Sequence, residues 1–561
     1  MLKHAETPQQ LLQLLQQHKL QQQGGVLDAI HIATAYHRIG EMCQADGAGT
    51  AAAARELLQH LDQLLLFVQG QLKAWGLANI IWACAYTKHA ALSVQLLPVF
   101  LQPEVLSDAN SQSVANVLWA LATLEQRVLT QQLVGALVAL VAESGAAAPH
   151  HISTSLWALG KMGRQVPNKQ LSVLLAELSA QSHRAKAQEL ANSIWGVAKL
   201  GQQVPDRKQL QQLVAAFASK CSAATTQSIA NLAWAVSELG LEVQAEQLKQ
   251  LLAAFAQQLN RADPQHVSNM LLAWARLRHN PVQLLAALQQ QEHMQRFLAA
   301  ANEQDLENTA WACGMLGHNC KLLLGGVLQQ AQRMLQQDRS GLGCQALSNL
   351  CWAVAVLDLR QYVPAVLQLA QASNSVWGTY APEGLRQLYQ MHLWLLDHNL
   401  APAEGVKGAG LLQVLSQQQL DECRRARQGH VALNAAAATS LLQQQVFAAL
   451  QQLPGWQVPP QQEVATDDHN FSIDIVAVTA AGVRLAVEVD GPSHFVRMGG
   501  RWEVDGPTQY RDRALAARGY TVVSIAGWEW RQLKGAYQQH QYLHDKIKGA
   551  TGEPPGERFF R

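Results

Sequence analysis

The chain has 561 residues and a formal net charge of +1; 49% of it is hydrophobic and only 15% charged. That length exceeds what one ordinary core supports, and the near-neutral balance neither requires nor excludes a nucleic-acid partner, because a long array can gather Lys and Arg on one face. No run of eighteen uncharged apolar residues occurs, which argues against a membrane span. Eight scattered cysteines without a CxxC pair argue against a zinc or disulfide framework and for a reducing compartment.

The opening MLKHAETPQQLLQLLQQHK reads as helix almost at once and is neither a secretory signal nor an Arg/Ser-rich transit peptide. Residues 1–60 are assigned to N-terminal helices, with a diverged copy of the repeat described next at HIATAYHRIG (31–40). Between 61 and 400 one apolar phrase recurs. Its central position falls at Trp82, Trp119, Trp157, Trp195, Trp234, Leu272, Trp311 and Trp352, with successive gaps of 37, 38, 38, 39, 38, 39 and 41 residues. A period near 38 is the mark of stacked helical hairpins. Three places before the centre stands Asn, or Thr at 154; one place after it stands Ala or Gly; three places after it stands Ala, Gly or Ser. Small residues let helices approach closely, and the indole is expected to be buried between them, at ~150–250 Å² of surface each.

Each phrase is the first helix of a hairpin. Runs such as LQQLVAAFASK (210–220) are the second, with breakers such as Gly163, Pro167, Gly201 and Pro205 at the joins. One position in the first helix varies freely. Four places after the centre come Tyr86, Thr123, Lys161, Lys199, Glu238, Arg276, Met315 and Val356. Two readings stand: a row of nucleotide-contacting residues, with Lys161, Lys199 and Arg276 meeting phosphates or base edges, or simply the wet side of an amphipathic helix. The recurring Asn is assigned to capping or bridging adjacent helices.

The period and the N-x-x-W-A-x-[AGS] phrase together resemble the octotricopeptide repeat proteins of green algae and, more distantly, the repeat region of FAST-kinase-like proteins. The resemblance covers roughly residues 25–400. It implies a right-handed-type α-solenoid that binds single-stranded organelle RNA, in chloroplast or mitochondrial matrix. It implies control of transcript stability, processing, splicing or translation, alongside other organelle RNA-processing proteins. No kinase signature accompanies it.

Residues 401–455 read as a helical connector, and from 456 the texture changes. FSIDIVAV (471–478), VRLAVEVDG (483–491) and YTVVSIAGW (520–528) are strands, and TQYRDRALAARG (508–519) is a helix closed by Gly519. The words VEVDGPSHF and TQYRDRALAARGYTVVSIAGWEW resemble a RAP domain, placed at 456–548. That likeness implies a small α/β fold akin to restriction endonucleases, in which Asp474 and Glu488 would hold Mg²⁺ while Asp490 or His494 assists a metal-dependent ribonuclease reaction. The nuclease pattern expects Glu-x-Lys, whereas this chain has Glu488-Val489-Asp490, with His494 or Arg511 as substitutes in space. Non-catalytic RNA binding, which requires no cofactor, is therefore preferred, with the nuclease and a protein scaffold as alternatives. Arg511, Arg513 and Arg518 with Trp528 and Trp530 form the expected RNA patch of this domain, together with Arg531. Cys313, His318 and Cys320 lie inside a repeat phrase, where buried thiols are expected rather than a metal site, and the tail after 549 is expected to be disordered.

Overall fold

The computed structural model describes residues 2–21, 28–46, 50, 53–126, 131–144, 147–201, 207–317, 320–338, 341–400, 409–435 and 440–552. Pro205, His318 and the tail from 553 lie outside the described residues. The chain is mainly helical with a small sheet near its C-terminus. It forms two compact units, Met1–Phe255 and Ala256–Arg561.

In the first unit the phrases form the helices Ala74–Thr87, Ser111–Thr123, Pro149–Met162, Ala187–Lys199 and Thr226–Glu238. Neighbours in this series pack against one another in chain order, and Ala74–Thr87 also packs against the preceding helix Ala29–Asp46. Their starts are fixed by side chains or proline. Asn110 and Thr225 accept the N–H groups of Ser113 and Ser228, and Pro149 sits in the first turn. Close approach rests on the small residues. A Cβ on Gly196 would run into the carbonyl of Leu156, and one on Gly160 into the carbonyl of Gly196. Ser153 ties the same pair of helices together through its hydroxyl, which donates to Glu189 O at 2.8 Å.

The core consists of aliphatic residues next to the phrase centre, such as Ile81, Leu118, Leu156 and Ile194, all fully buried. The indoles themselves do not follow the expectation of burial. Trp82, Trp119, Trp157, Trp195, Trp234 and Trp311 are only half-buried; Trp352 is buried, as is Leu272 in the sixth slot. The reason is geometric. With Ala or Gly at neighbouring positions the helix backbones meet directly, leaving no interior gap as wide as an indole, so the rings lie along the surface seam.

In the second unit the phrase helices Pro264–Arg276, Glu303–Leu316 and Cys344–Val356 and the helix Pro382–Asp397 pack in the same consecutive way. The helices Gln417–Ala435 and Leu441–Gln452 lead to the sheet. Strands β1 (Trp456–Ala465), β2 (Ser472–Thr479), β3 (Arg484–Asp490) and β6 (Thr521–Ala526) lie in the order β1-β2-β3-β6; β2 is antiparallel to both β1 and β3, and β3 pairs with β6 in parallel. A separate hairpin joins β4 (Phe495–Met498) and β5 (Arg501–Val504). Side chains alternate across a strand. One sheet face therefore carries Ile475, Leu485, Val487 and Ile525, which pack with Val446, Leu450, Trp530, Leu543 and Ile547 into an apolar core. The other face carries Asp474, Glu488, Asp490 and Ser524. Cys313 and Cys320 are buried thiols.

Gly196→Val should destabilise the first unit by more than the ~1–3 kcal/mol of ordinary overpacking, because the obstacle is backbone. Gly135→Ala, within the helix Gln131–Ser144, meets nothing closer than 4.0 Å and should add about 0.5–1 kcal/mol. Chemical denaturation of both variants checks the contrast.

Candidate nucleic-acid interface

In the first unit the phrase centre and the position four residues on share one helix face, so they meet at the surface. Tyr86 stands between Trp82 and Trp119, with ring centroids 4.8 and 5.0 Å away. Lys161 lies 5.3 Å from the Trp157 centroid, and Lys199 lies 5.6 Å from that of Trp195 and 4.4 Å from that of Trp234. Consecutive indoles are 6.3–6.4 Å apart at 82/119, 157/195 and 195/234. His37 occupies the place before Trp82 and stacks on it at 5.0 Å. The result is a half-exposed strip in which aromatic rings alternate with cations, the combination that holds bases and backbone of a single strand. Lys161, Lys199, Glu238 and Arg276 are exposed, while Tyr86 and Thr123 are half-buried.

The same face extends further than the sequence reading reached. Seven places before the centre stands Gln112, Gln188, Gln227, Gln265, Gln304 or Gln345 in six of the eight phrases. Positions −7, −3, 0 and +4 follow the helical repeat and fall on one stripe. The Gln spacing was visible in the sequence and would have emerged from comparing two turns upstream of each Trp.

The second unit treats this stripe differently. Met315 and Val356 are buried, because the helix Gly506–Ala517 lies against them; a Cβ on Gly506 would strike the Gly314 carbonyl and approach Val356 Cγ1 to 2.8 Å. Arg513 donates to Ala355 O at 3.1 Å and Val356 O at 2.6 Å, satisfying carbonyls at a helix end. Arg518 bonds Asp397 at 2.9 Å and Asp468 at 2.8 Å, Tyr510 donates to Gln390 O at 2.8 Å, and Arg278 pairs with Asp505. Arg278 O also accepts the Arg497 N–H at 2.7 Å.

Of the expected patch, Arg511, Arg513, Arg518 and Trp530 are engaged inside the molecule, whereas Arg531 is exposed. Trp530 is core, 2% exposed. Trp528 is half-buried, stacks on Trp502 at 5.6 Å and meets Phe495 edge-on at 4.3 Å. Exposed aromatic surface in this region is supplied by Tyr537 and by Trp502, the latter with Arg497 4.9 Å from its ring centroid.

The acidic sheet face does bring Asp474, Glu488, Asp490 and His494 together, and Arg511 joins them. Arg511 Nη1 lies 3.1 Å from Glu488 Oε2 and 2.9 Å from Asp490 Oδ1, and Nη2 lies 3.3 Å from Asp490 Oδ2 and 2.8 Å from Asp512 Oδ1. The Ser524 hydroxyl also donates to Asp490. Asp474 Oδ2 accepts the Val489 N–H at 2.8 Å, and His494 Nδ1 is 3.0 Å from Thr508 Oγ1 and 3.4 Å from Asp490 Oδ1. Burial raises Asp474 to about 6 and Glu488 well above its ordinary range. Burial also works to raise Asp490, but the Arg511 guanidinium and the Ser524 hydroxyl outweigh it and hold that carboxyl low. These residues do not fit a divalent metal. The guanidinium occupies the space between Glu488 and Asp490, and among the described residues no three His, Cys, Asp or Glu side chains converge with metal-holding geometry.

A RAP domain model matches residues 487–546, and the chain carries a RAP domain at its C-terminus. Over 83 residues it is 39% identical to the "RAP domain-containing protein, chloroplastic" of Oryza sativa subsp. japonica; the matched segment spans 15% of this chain and 12% of that relative. Among the described residues no helix is long and apolar enough to cross a membrane.

Asp474 has a folded-state value of about 6 against an ordinary 3.8. The folded state thus binds the extra proton, and Asp474 costs stability progressively as pH rises through that window. Asp474→Asn should remove about 3 kcal/mol of this pH dependence, leaving the variant relatively more stable at pH 7 than at pH 4. Urea denaturation across that range measures it.

Proposed function

We propose that this protein binds single-stranded organelle RNA along the surface stripe of its phrase helices, as a right-handed α-solenoid of octotricopeptide type. In this reading the RAP domain acts as a non-catalytic module docked on the last helices. The observation that carries this reading is the strip Trp157–Lys161–Trp195–Lys199–Trp234, where rings and ammonium groups alternate at the surface. Core packing alone would bury those rings, and a merely solvated face would not bear six half-exposed tryptophans. The chloroplastic name of the rice relative supports an organelle setting, and control of transcript processing, stability, splicing or translation follows from such binding.

The alternative, a magnesium-dependent endoribonuclease, would need Asp474 and Glu488 to hold a metal beside Arg511, and the pairing of Arg511 favours the non-catalytic reading. A protein scaffold has no use for exposed cations inserted between indoles.

Fluorescence anisotropy of labelled single-stranded RNA with the full chain tests the proposal. Trp195→Ala and Lys199→Ala should each weaken binding by about tenfold, given ~1–3 kcal/mol per stacked base, while the melting temperature stays close to wild type. Arg513→Ala should lower the melting temperature and leave affinity nearly unchanged. Equal affinity in wild type and Trp195→Ala would refute the interface.

A further inference from the structure

The tryptophan strip explains grip without choice, since every base has a face on which an indole can stack. Beside it lies a cleft of about 350 Å³ whose lining includes Trp119, Trp157, Thr154, Gln188, Asn192, Gln227 and Asn231. Gln188 and Asn192 are four residues apart on Ala187–Lys199, and Gln227 and Asn231 are four apart on Thr226–Glu238. Each helix thus presents two amides one turn apart, directly upstream of its own indole.

These amides are not occupied with packing. No side-chain hydrogen bond joins Gln188, Asn192, Gln227 or Asn231 to another described residue, and all four reach solvent, the glutamines exposed and the asparagines half-buried. The eighth phrase shows what the structural role looks like. There Asn349 is 3% exposed, and its Oδ1 accepts from Gln387 at 2.7 Å and from Gln345 at 3.3 Å. The expectation that the recurring Asn bridges neighbouring helices therefore holds at position 349. It does not hold at 192 and 231, where the same residue is left free beside a half-exposed ring.

We infer that the pairs Gln188/Asn192 and Gln227/Asn231 read the edges of two successive nucleobases whose faces rest on Trp157, Trp195 or Trp234. This rests on the RNA-binding proposal and adds sequence specificity to it. A carboxamide offers a donor and an acceptor side by side, which matches a base edge with the complementary couple, adenine foremost. An amide left facing a base that lacks the couple loses both bonds, and the mismatch carries the desolvation cost of buried unpaired groups. Stacking supplies affinity and the amides supply choice, so the two contributions separate by mutation.

The test is selection from a random single-stranded RNA pool by the full-length protein, followed by sequencing and by affinity measurement on the selected RNA and on the unselected pool. Wild type should yield a short motif containing adenine at adjacent positions. Asn192→Leu and Asn231→Leu should each abolish the preference at one of two neighbouring positions. Both should bind the selected RNA about tenfold more weakly and the unselected pool within about threefold of wild type. Trp195→Ala should weaken both RNAs alike. Wild type that binds RNA tightly with no enriched motif, or an Asn192→Leu motif identical to wild type, would overturn base reading while leaving RNA binding in place. Wild type that retains no RNA at all would overturn the RNA-binding proposal itself, and this inference with it.

Discussion

Backbone-to-backbone contact between successive phrase helices is the constraint on which the rest depends. Gly160, Gly196 and the alanines beside each phrase centre remove the side chains that would hold the helices apart. Once the backbones touch, the interface is filled by short aliphatic residues such as Leu156 and Ile194, and the large ring next to them is displaced to the seam. Packing thus has a functional by-product. Helices brought this close set their indoles 6.3–6.4 Å apart, near enough for one inserted side chain, Tyr86 or Lys199, to touch the rings on both sides.

The two units spend that stripe differently. In the first it is open, with a ring at each phrase centre, amide pairs on Ala187–Lys199 and Thr226–Glu238, and cations at Lys161 and Lys199. In the second, the RAP helix Gly506–Ala517 covers its last two positions, and its arginines satisfy helix-end carbonyls and carboxylates of the same unit. Glycine at 506 permits this, since any side chain there would collide with the Gly314 carbonyl. The acidic face of the sheet completes the picture. Arg511 is the cation around which Glu488 and Asp490 are arranged, so a carboxylate cluster that resembles a metal site in sequence is an internal ion-pair network in space. Removing one partner of such a network leaves buried charge uncompensated, which makes Arg511 a structural residue of the domain.

Much of this was legible in the residues. The Trp-keyed phrase marked the helices, and Gly163 marked the end of the one that carries Trp157. Alternating apolar residues in FSIDIVAV and VRLAVEVDG marked β2 and β3, and Gly519 marked the end of the RAP helix. The fate of the arginines was not legible. Arg513 meets a carbonyl 157 positions away, and no local pattern encodes a contact of that range. The indoles were misjudged for a related reason: hydrophobicity says that a ring leaves water, whereas only the distance between helices decides whether an interior space exists for it. The Gln at −7 carried a signal all along, hidden because exposed glutamines abound in this chain.

The central claim is that RNA lies on the stripe of the phrase helices. Ultraviolet crosslinking of the full-length protein to RNA in its native cell, with mass-spectrometric mapping of the modified peptides, tests it most directly. Crosslinks are predicted on peptides containing Trp157, Trp195 and Trp234. Crosslinks confined to residues 456–552, with those tryptophan peptides unmodified, would contradict the account.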